Sequence, residues 1–168
     1  MKDKIQDAVA SRLIADVPVG LLFSGGIDSN LIRYSTKVDL KCFTGGFEGD
    51  YDVSYAKENL GEESNHISIS NEDFVTRMKE MISLRKEPLS VPNEVILSFL
   101  AEAWKKEGGK VLLSGEAADE LFGGYDRIYK WALSTEYFSI EQFLGYYAYS
   151  NICLLYTSPS TRDSDSSR

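Results

Sequence analysis

Residues 20–30 read GLLFSGGIDSN, and this stretch decides the fold that we expect for the chain. An apolar run leads through Ser24 into the glycine pair Gly25-Gly26, and Asp28 and Ser29 follow shortly after it. This order predicts a buried strand, a glycine loop and then a helix. Such a loop directs backbone N–H groups and a helix N-terminus at one point, which is how proteins hold phosphate. Because Asp28 would repel bare phosphate, its presence indicates a bridging Mg²⁺.

Two common nucleotide-binding patterns are missing from the sequence. No two glycines are separated by a single residue, which excludes G-x-G-x-x-G, and no Gly-Lys pair precedes a hydroxyl residue as in a Walker A loop. A simpler interpretation is a Gly-Gly turn that joins a strand to a helix, with Ser24 or Ser29 as the helix cap. The loop alone leaves both interpretations open.

A second segment, residues 110–125, reads KVLLSGEAADELFGGY. Again an apolar strand leads into a Ser-Gly pair, and acidic residues follow it at 116, 119 and 120. Parallel strands bring the loops at their carboxyl ends to one edge of the sheet, where ligands bind. The two loops are therefore predicted to lie together.

The SGGIDS loop resembles the PP-loop of the ATP pyrophosphatases. Taken with SGEAADELFGGY, with the run Asp16 to Gly20 and with Glu87-Pro88, it resembles the synthetase domain of glutamine-dependent asparagine synthetases. This resemblance implies an α/β fold, a doubly wound, Rossmann-like parallel sheet with helices on both faces. Independently of it, strand-like and helix-like segments alternate along the chain, which favours the same class.

The resemblance also implies a reaction. ATP and Mg²⁺ would activate a substrate carboxylate, most simply the β-carboxylate of aspartate, as an acyl-adenylate with release of pyrophosphate. Ammonia would then displace AMP to form the amide. In the family, ammonia comes from a glutaminase domain, which is expected to be absent from this chain, and a homodimer is expected for the full-length protein.

Residue roles follow from the same resemblance. Glu116 would take a proton from the attacking ammonia, and Asp119 would bind the substrate's ammonium group or a metal, with Asp28 as the other metal residue. Glu120 either belongs to the site or stabilises the N-terminus of the next helix. The residues that would bind the nucleotide are Leu22, Ser24, Gly25, Gly26, Asp28, Ser29, Gly45, Ser114 and Gly115.

The sequence departs from the family pattern at two points. Ala117 occupies a usual glycine position, where alanine is strained if φ is positive and tolerated if the residue is helical. Residues 88–93 lack an arginine that some asparagine synthetases use for aspartate, so a different acceptor such as a surface-polysaccharide sugar acid stays open. Other PP-loop enzymes (β-lactam synthetase, NAD synthetase, tRNA-modifying enzymes) and an inactive nucleotide-binding module are the remaining alternatives.

The amino-acid composition argues against several classes of binding partner and metal site. The chain has 168 residues and a net charge of −8, which argues against a nucleic-acid or membrane-surface binder. Two cysteines and one histidine build neither a disulfide framework nor a typical zinc site. Cys42 and Trp104 are predicted core residues, and His66 a structural one. No apolar stretch of membrane-spanning length occurs, and a cytoplasmic location is the default expectation.

Local patterns predict the elements and the domain limits. Ser70 and Asp73 suggest the cap of a helix whose buried stripe would be Phe74, Met78, Met81 and Ile82, and Asn93 suggests the cap of a further, long helix. Residues 1–152 are expected to form a truncated synthetase domain, and residues 153–168, which resemble a translated sequencing adapter, a disordered tail. A genuine disordered terminus is the alternative for that tail. The predicted helices cover residues 3–15, 29–36 and 53–60 and the predicted strands residues 19–23, 40–47, 65–69 and 111–113.

Overall fold

The computed structural model of the protein describes residues 2–60 and 65–147, so the predicted tail at 153–168 lies outside the described residues. The chain divides into two compact units between Glu116 and Ala117. The elements of the first unit are α1 Lys2–Arg12, β1 Val19–Leu22, α2 Ile27–Ser35, β2 Lys41–Phe47, α3 Tyr51–Leu60, β3 Asn65–Ile69, α4 Asn71–Arg85, α5 Asn93–Lys106 and β4 Val111–Leu113. Those of the second are α6 Ala118–Phe122, α7 Asp126–Ser134 and α8 Ile140–Tyr147.

The four strands form one parallel sheet in the order β3-β2-β1-β4. The chain builds outward from β1 through β2 to β3 and then returns to pair β4 with the other side of β1. Leu21 of β1 accordingly pairs with Cys42 on one side and with Leu113 on the other. The order therefore reverses between β1 and β4, which is the position where open α/β sheets bind ligands.

Successive side chains of the strands serve opposite faces of the sheet, and each face carries its own apolar cluster. Leu21 belongs to a cluster with Ala56 of α3 and Ile32 of α2, whereas Leu22 packs against Leu100 of α5. Helices thus cover both faces, which confirms the predicted doubly wound α/β class. Cys42 and Trp104 are core residues, as predicted, at 4% and 5% exposure.

Trp104 fixes the connection from α5 into β4. Its ring packs edge-on against Phe43 with the centroids 5.2 Å apart, and its indole N–H donates to the carbonyl of Val111 at 2.9 Å. Any side chain at Gly109 would overlap the indole, so glycine there permits the close approach of backbone and ring. The start of β4 is thereby held against the core.

Two local predictions about helix ends need correction. Helix α1 ends at Arg12 instead of residue 15, because a tight bond from Leu13 N–H to the Ala10 carbonyl closes its last turn. Ser70 does cap α4, but Asn93 caps nothing: the carboxylate of Glu94 accepts from the N–H groups at residues 90 and 91 instead.

The apolar stripe of α4 is half-buried at best, and none of the residues of this helix is fully buried. Among the described helices of residues 2–147, none is both long and apolar enough to cross a membrane.

The second unit consists of short helices around aromatic side chains. The rings of Trp131, Phe138 and Phe143 lie 5.7–6.4 Å apart between centroids. Ile128 of α7 is buried, at 5% exposure. Helix α6 ends at Gly123, which has a φ of +72°.

Candidate functional site

Residues 24–29, here called the phosphate loop, join the carboxyl end of β1 to α2. Gly25 adopts a φ of +79°, and Gly26, in extended conformation, is the N-cap of α2 without a side-chain cap bond. The first N–H groups of a helix have no intrahelical acceptor. The N-terminus of α2 therefore presents backbone N–H groups without intrahelical acceptors, which is the kind of position where proteins bind anions.

The two serines of the loop play different parts. Ser29 is buried, at 3% exposure, and its hydroxyl donates to the carbonyl of Gly26 at 3.1 Å. Ser24 is exposed, and its Oγ lies 3.3 Å both from the Ser29 hydroxyl and from the Gly26 nitrogen, which donates to it. Ser29 thus stiffens the loop from inside, and Ser24 presents its hydroxyl to solvent and to any ligand.

Asn30 also holds the loop, although the sequence analysis did not single it out. Its side-chain amide donates to the carbonyls of Gly25 at 2.8 Å and Gly26 at 3.1 Å. The available signal was an Asn within the first turn of a helix that follows two glycines, where short polar side chains bond back to the backbone. A ring on α3 completes the support, because Tyr55 packs against Gly25.

The second loop reaches the phosphate loop through Gly115. A Cβ at Gly115 would lie 2.8 Å from the Cβ of Asp28 and 3.3 Å from the backbone nitrogen of Ser29. Only a glycine allows this approach. The structure therefore brings Gly115 to Asp28 and the start of α2, at the point where the strand order reverses.

The other residues predicted for the nucleotide lie beside these loops. Leu22 and Gly45 share the sheet face that α5 covers, since Leu22 joins the cluster around Leu100 and a Cβ at Gly45 would lie 3.0 Å from Leu100. Ser114 and Gly115 directly follow β4 and are half-buried. These four residues thus lie in β1 and β2 or directly after β4, three neighbouring strands of the first unit.

Glu116 is the last residue of the first unit and is exposed. Ala117 follows it with a φ of +71° and a ψ of 0°, which is the left-handed region. Of the two possibilities that the sequence left open at this position, the strained one therefore applies.

Asp119 and Glu120 lie in the first turn of α6 in the second unit. Glu120 accepts a hydrogen bond from the Tyr125 hydroxyl at 2.6 Å, so its carboxylate has a structural partner within that unit. Asp119 lies so close to Gly124 that any side chain at 124 would overlap its carboxylate. Gly124 thus makes room for Asp119, whereas a side chain at Gly123 would overlap the hydroxyl of Tyr129.

The described residues contain no preformed group of three or more side chains suited to a metal ion. Mg²⁺ commonly binds through one or two carboxylates together with substrate phosphates. Asp28, half-buried in the first turn of α2 and next to the contact with Gly115, fits such a shared site. Cys42 is a buried core residue of β2, and burial raises the pKa of its thiol.

Comparisons with known proteins show the family of the chain. Residues 1–163 match the family described as asparagine synthase. The chain is 41% identical over 146 residues to asparagine synthetase (glutamine-hydrolyzing) 1 of Bacillus subtilis, a match covering 82% of this chain and 23% of that protein.

Two more distant relatives also match. Asparagine synthetase (glutamine-hydrolyzing) of Asparagus officinalis is 30% identical over 143 residues, covering 74% of this chain and 24% of the relative. Amidase chry2 of Gibberella zeae is 32% identical over 149 residues, covering 75% of this chain and 22% of the amidase. The chain thus spans about a quarter or less of the length of these curated relatives.

Proposed function

This chain belongs to the asparagine synthase family, and we propose that it is the ATP-using synthetase part of an amide-forming ligase. A carboxylate oxygen of the substrate attacks the α-phosphorus of ATP, and the bond to the bridging oxygen breaks to release pyrophosphate. The nitrogen of ammonia then attacks the acyl carbon, gives up a proton, and displaces AMP. The proposed acceptor is the β-carboxylate of aspartate, which would make asparagine the product.

The contact between Gly115 and Asp28 is the observation that best supports this proposal. It joins a loop suited to phosphate with a loop that carries a carboxylate one residue later, at Glu116. A synthetase needs this proximity, because the acyl group becomes bonded to the α-phosphate next to the departing pyrophosphate and must meet its nucleophile there.

The phosphate loop would bind the leaving pyrophosphate. Backbone N–H groups at the start of α2 and the Ser24 hydroxyl are donors that gain strength as negative charge develops on pyrophosphate. Asp28 would hold Mg²⁺, which neutralises phosphate charge when bound. Leu22 and Gly45 would flank the adenine, with Ser114 and Gly115 making backbone contacts to the nucleotide.

Glu116 would act as the general base toward ammonia. A base must come within hydrogen-bond reach of the proton that it takes, and the exposed Glu116 carboxylate directly after Gly115 supports this role because it is accessible to an incoming nucleophile. For Asp119 we propose the role implied by the resemblance, binding of the substrate ammonium or of metal. Glutamine-derived ammonia, a homodimer and a cytoplasmic location are proposals for the full-length protein.

Amidation of a different carboxylate is the second candidate. Residues 88–93 contain no arginine to pair with the α-carboxylate of aspartate, and one relative of similar coverage is named an amidase. The two candidates share the adenylation step and differ only in the acceptor.

Pyrophosphate exchange into ATP tests the proposal. The chain would be incubated with Mg²⁺, ATP, labelled pyrophosphate and each of a panel of carboxylates. Exchange with aspartate alone supports asparagine formation, and exchange with another acid supports the second candidate. Because the chain spans less than a quarter of the length of its Bacillus subtilis relative, absence of exchange contradicts adenylation when it is found for every carboxylate in a full-length parent protein as well. That result would leave the inactive nucleotide-binding module.

Two variants separate the residue roles. Asp28→Asn is expected to lower exchange about 100-fold or more, since it removes the metal carboxylate, whereas the exposed control Asp7→Asn should leave exchange unchanged. Glu116→Gln is expected to keep exchange and to stop amide formation from ammonium, with Glu58→Gln as its control. Loss of exchange in Glu116→Gln would show that the base assignment is wrong.

A further inference from the structure

We propose that Asn30 is a positioning residue of the phosphate loop, whose side-chain amide sets the direction of the N–H groups of Gly26 and Ile27. The proposal rests on the proposed function, since it takes pyrophosphate as the ligand of these donors. Asn30 lies outside the SGGIDS stretch, and the proposal is that it nevertheless increases the affinity of the loop for phosphate groups.

The hydrogen bonds of Asn30 define the geometry. The side-chain nitrogen donates to the carbonyl oxygens of Gly25 at 2.8 Å and Gly26 at 3.1 Å. Both acceptors are carbonyl oxygens, so only the NH₂ end of the side chain can satisfy them. The backbone N–H of Asn30 also donates to the Gly26 carbonyl, at 3.1 Å.

Because peptide units are planar, the hydrogen bonds to the Gly25 and Gly26 carbonyls also fix the directions of the next N–H groups, those of Gly26 and Ile27. In a trans peptide unit the C=O of one residue and the N–H of the next share a plane and point in opposite directions. Anchoring the Gly25 oxygen therefore aims the Gly26 N–H away from Asn30, and anchoring the Gly26 oxygen does the same for Ile27.

These peptide units need such support. Glycine has the widest choice of backbone conformations, so two adjacent glycines are the part of the chain most able to turn their amides away from a ligand. Gly26 carries no side chain that could cap α2, and the N-terminal donors of that helix are left to a ligand. Asn30 thus holds the two peptide units that carry the Gly26 N–H, which donates to the Ser24 Oγ at 3.3 Å, and the Ile27 N–H, the first donor of α2.

The chain offers a matched control in Asn59. Its side-chain nitrogen donates to the carbonyl of Tyr55 at 2.7 Å, four residues back in α3. This is the same kind of back-bond in another helix, and it engages no carbonyl of the phosphate loop. A general effect of losing such a bond on helix stability should thus appear equally in Asn30→Ala and Asn59→Ala.

Calorimetric titration of the whole chain with Mg²⁺ and inorganic pyrophosphate gives the first readout. Asn30→Ala is expected to raise the dissociation constant for pyrophosphate about tenfold, because the variant loses two modest hydrogen bonds that orient the backbone donors. Asn30→Ser should recover part of the affinity, because a serine hydroxyl can donate to the carbonyl four residues back. Asn59→Ala should bind as the unmodified chain does, with a melting temperature lowered as much as in Asn30→Ala.

Amide relaxation of the ligand-free chain gives the second readout. The ¹⁵N order parameters of Gly26 and Ile27 are expected to fall in Asn30→Ala and to stay unchanged in Asn59→Ala. Unchanged order parameters, or unchanged affinity in a chain that binds pyrophosphate, would overturn the proposal. If the unmodified chain binds no pyrophosphate, the proposed function fails, and the order parameters alone decide whether Asn30 orients the loop.

Discussion

The phenol ring of Tyr55 lies directly against the α-carbon of Gly25, and a side chain at residue 25 would overlap it. Gly25 also has a φ of +79°, a conformation that residues with a Cβ rarely adopt. Two independent features, one steric and one conformational, thus require glycine in the middle of the phosphate loop. The loop is supported by α3 through Tyr55 and by α2 through Asn30.

Gly25→Ala is therefore expected to destabilise the fold by more than a positive φ alone explains. The left-handed backbone costs alanine about 1–2 kcal/mol, and the overlap with Tyr55 adds to this. Gly49→Ala is the matched control, because Gly49 has a φ of +87° and open space around it. Urea unfolding of both variants measures the difference, and equal losses of stability would show that the ring does not constrain residue 25.

Thr44 makes the next testable contact with this region. Its buried hydroxyl donates at 2.5 Å to the carbonyl of Phe23, the residue before the phosphate loop. Thr44→Val keeps the shape but leaves that carbonyl without the hydroxyl, at an expected cost of about 1–3 kcal/mol. Thr44→Ser should lose less, and Thr76→Val, at an exposed position of α4, should change stability by under about 0.5 kcal/mol. Chemical denaturation of the three variants tests this order.

The architecture was predictable because its signals are local and repeated. Apolar strands such as Leu21 to Phe23 stop at glycines, and helices with an apolar stripe such as that of Trp104 follow or precede them. Connections with helices between strands favour a parallel sheet, and parallel strands place their loops at one edge. The approach of Gly115 to Asp28 follows from that rule, although no sequence motif predicts a contact between these two particular residues.

The remaining details depend on contacts between distant residues. The apolar stripe of α4 indicated a buried face, but periodicity does not say what covers it, and Phe74 and Met78 are only half-buried. Tyr55 and Gly25 are thirty residues apart, so their contact follows only from how α3 crosses β1. At Ala117 the residue type fits either helical or left-handed backbone, and the structure alone decides between them.

Glu102 gives α5 a measurable pH dependence. Hydrogen bonds from Lys106 and Arg77 hold the pKa of its carboxyl to about 2, below the ordinary 4.5. Since the folded pKa is the lower one, Glu102 stabilises the fold above pH 4.5, and this contribution is lost as the pH falls through about 2.

The melting temperature of Glu102→Gln should thus lie below that of the unmodified chain at pH 6, and the gap should close between pH 4.5 and 2. Because the carboxylate is exposed, added salt should narrow the gap at pH 6. Glu72→Gln, which removes an exposed carboxylate at the start of α4, is the control. A gap that does not depend on pH would contradict the ion-pair account.

Ala117→Gly is expected to stabilise the protein, in contrast to most substitutions by glycine. Ala117 has a φ of +71°, which costs a residue with a Cβ about 1–2 kcal/mol, and glycine removes this strain. The greater freedom of glycine in the unfolded chain offsets about 0.4–1 kcal/mol of the gain in stability. A net gain of about 0.5–1 kcal/mol follows. Ala118→Gly, one residue later in α6, should instead lose about 0.5–1 kcal/mol because its backbone is helical. Urea unfolding of the two neighbours must therefore give opposite signs, and a loss in Ala117→Gly would mean that residue 117 is not left-handed in solution.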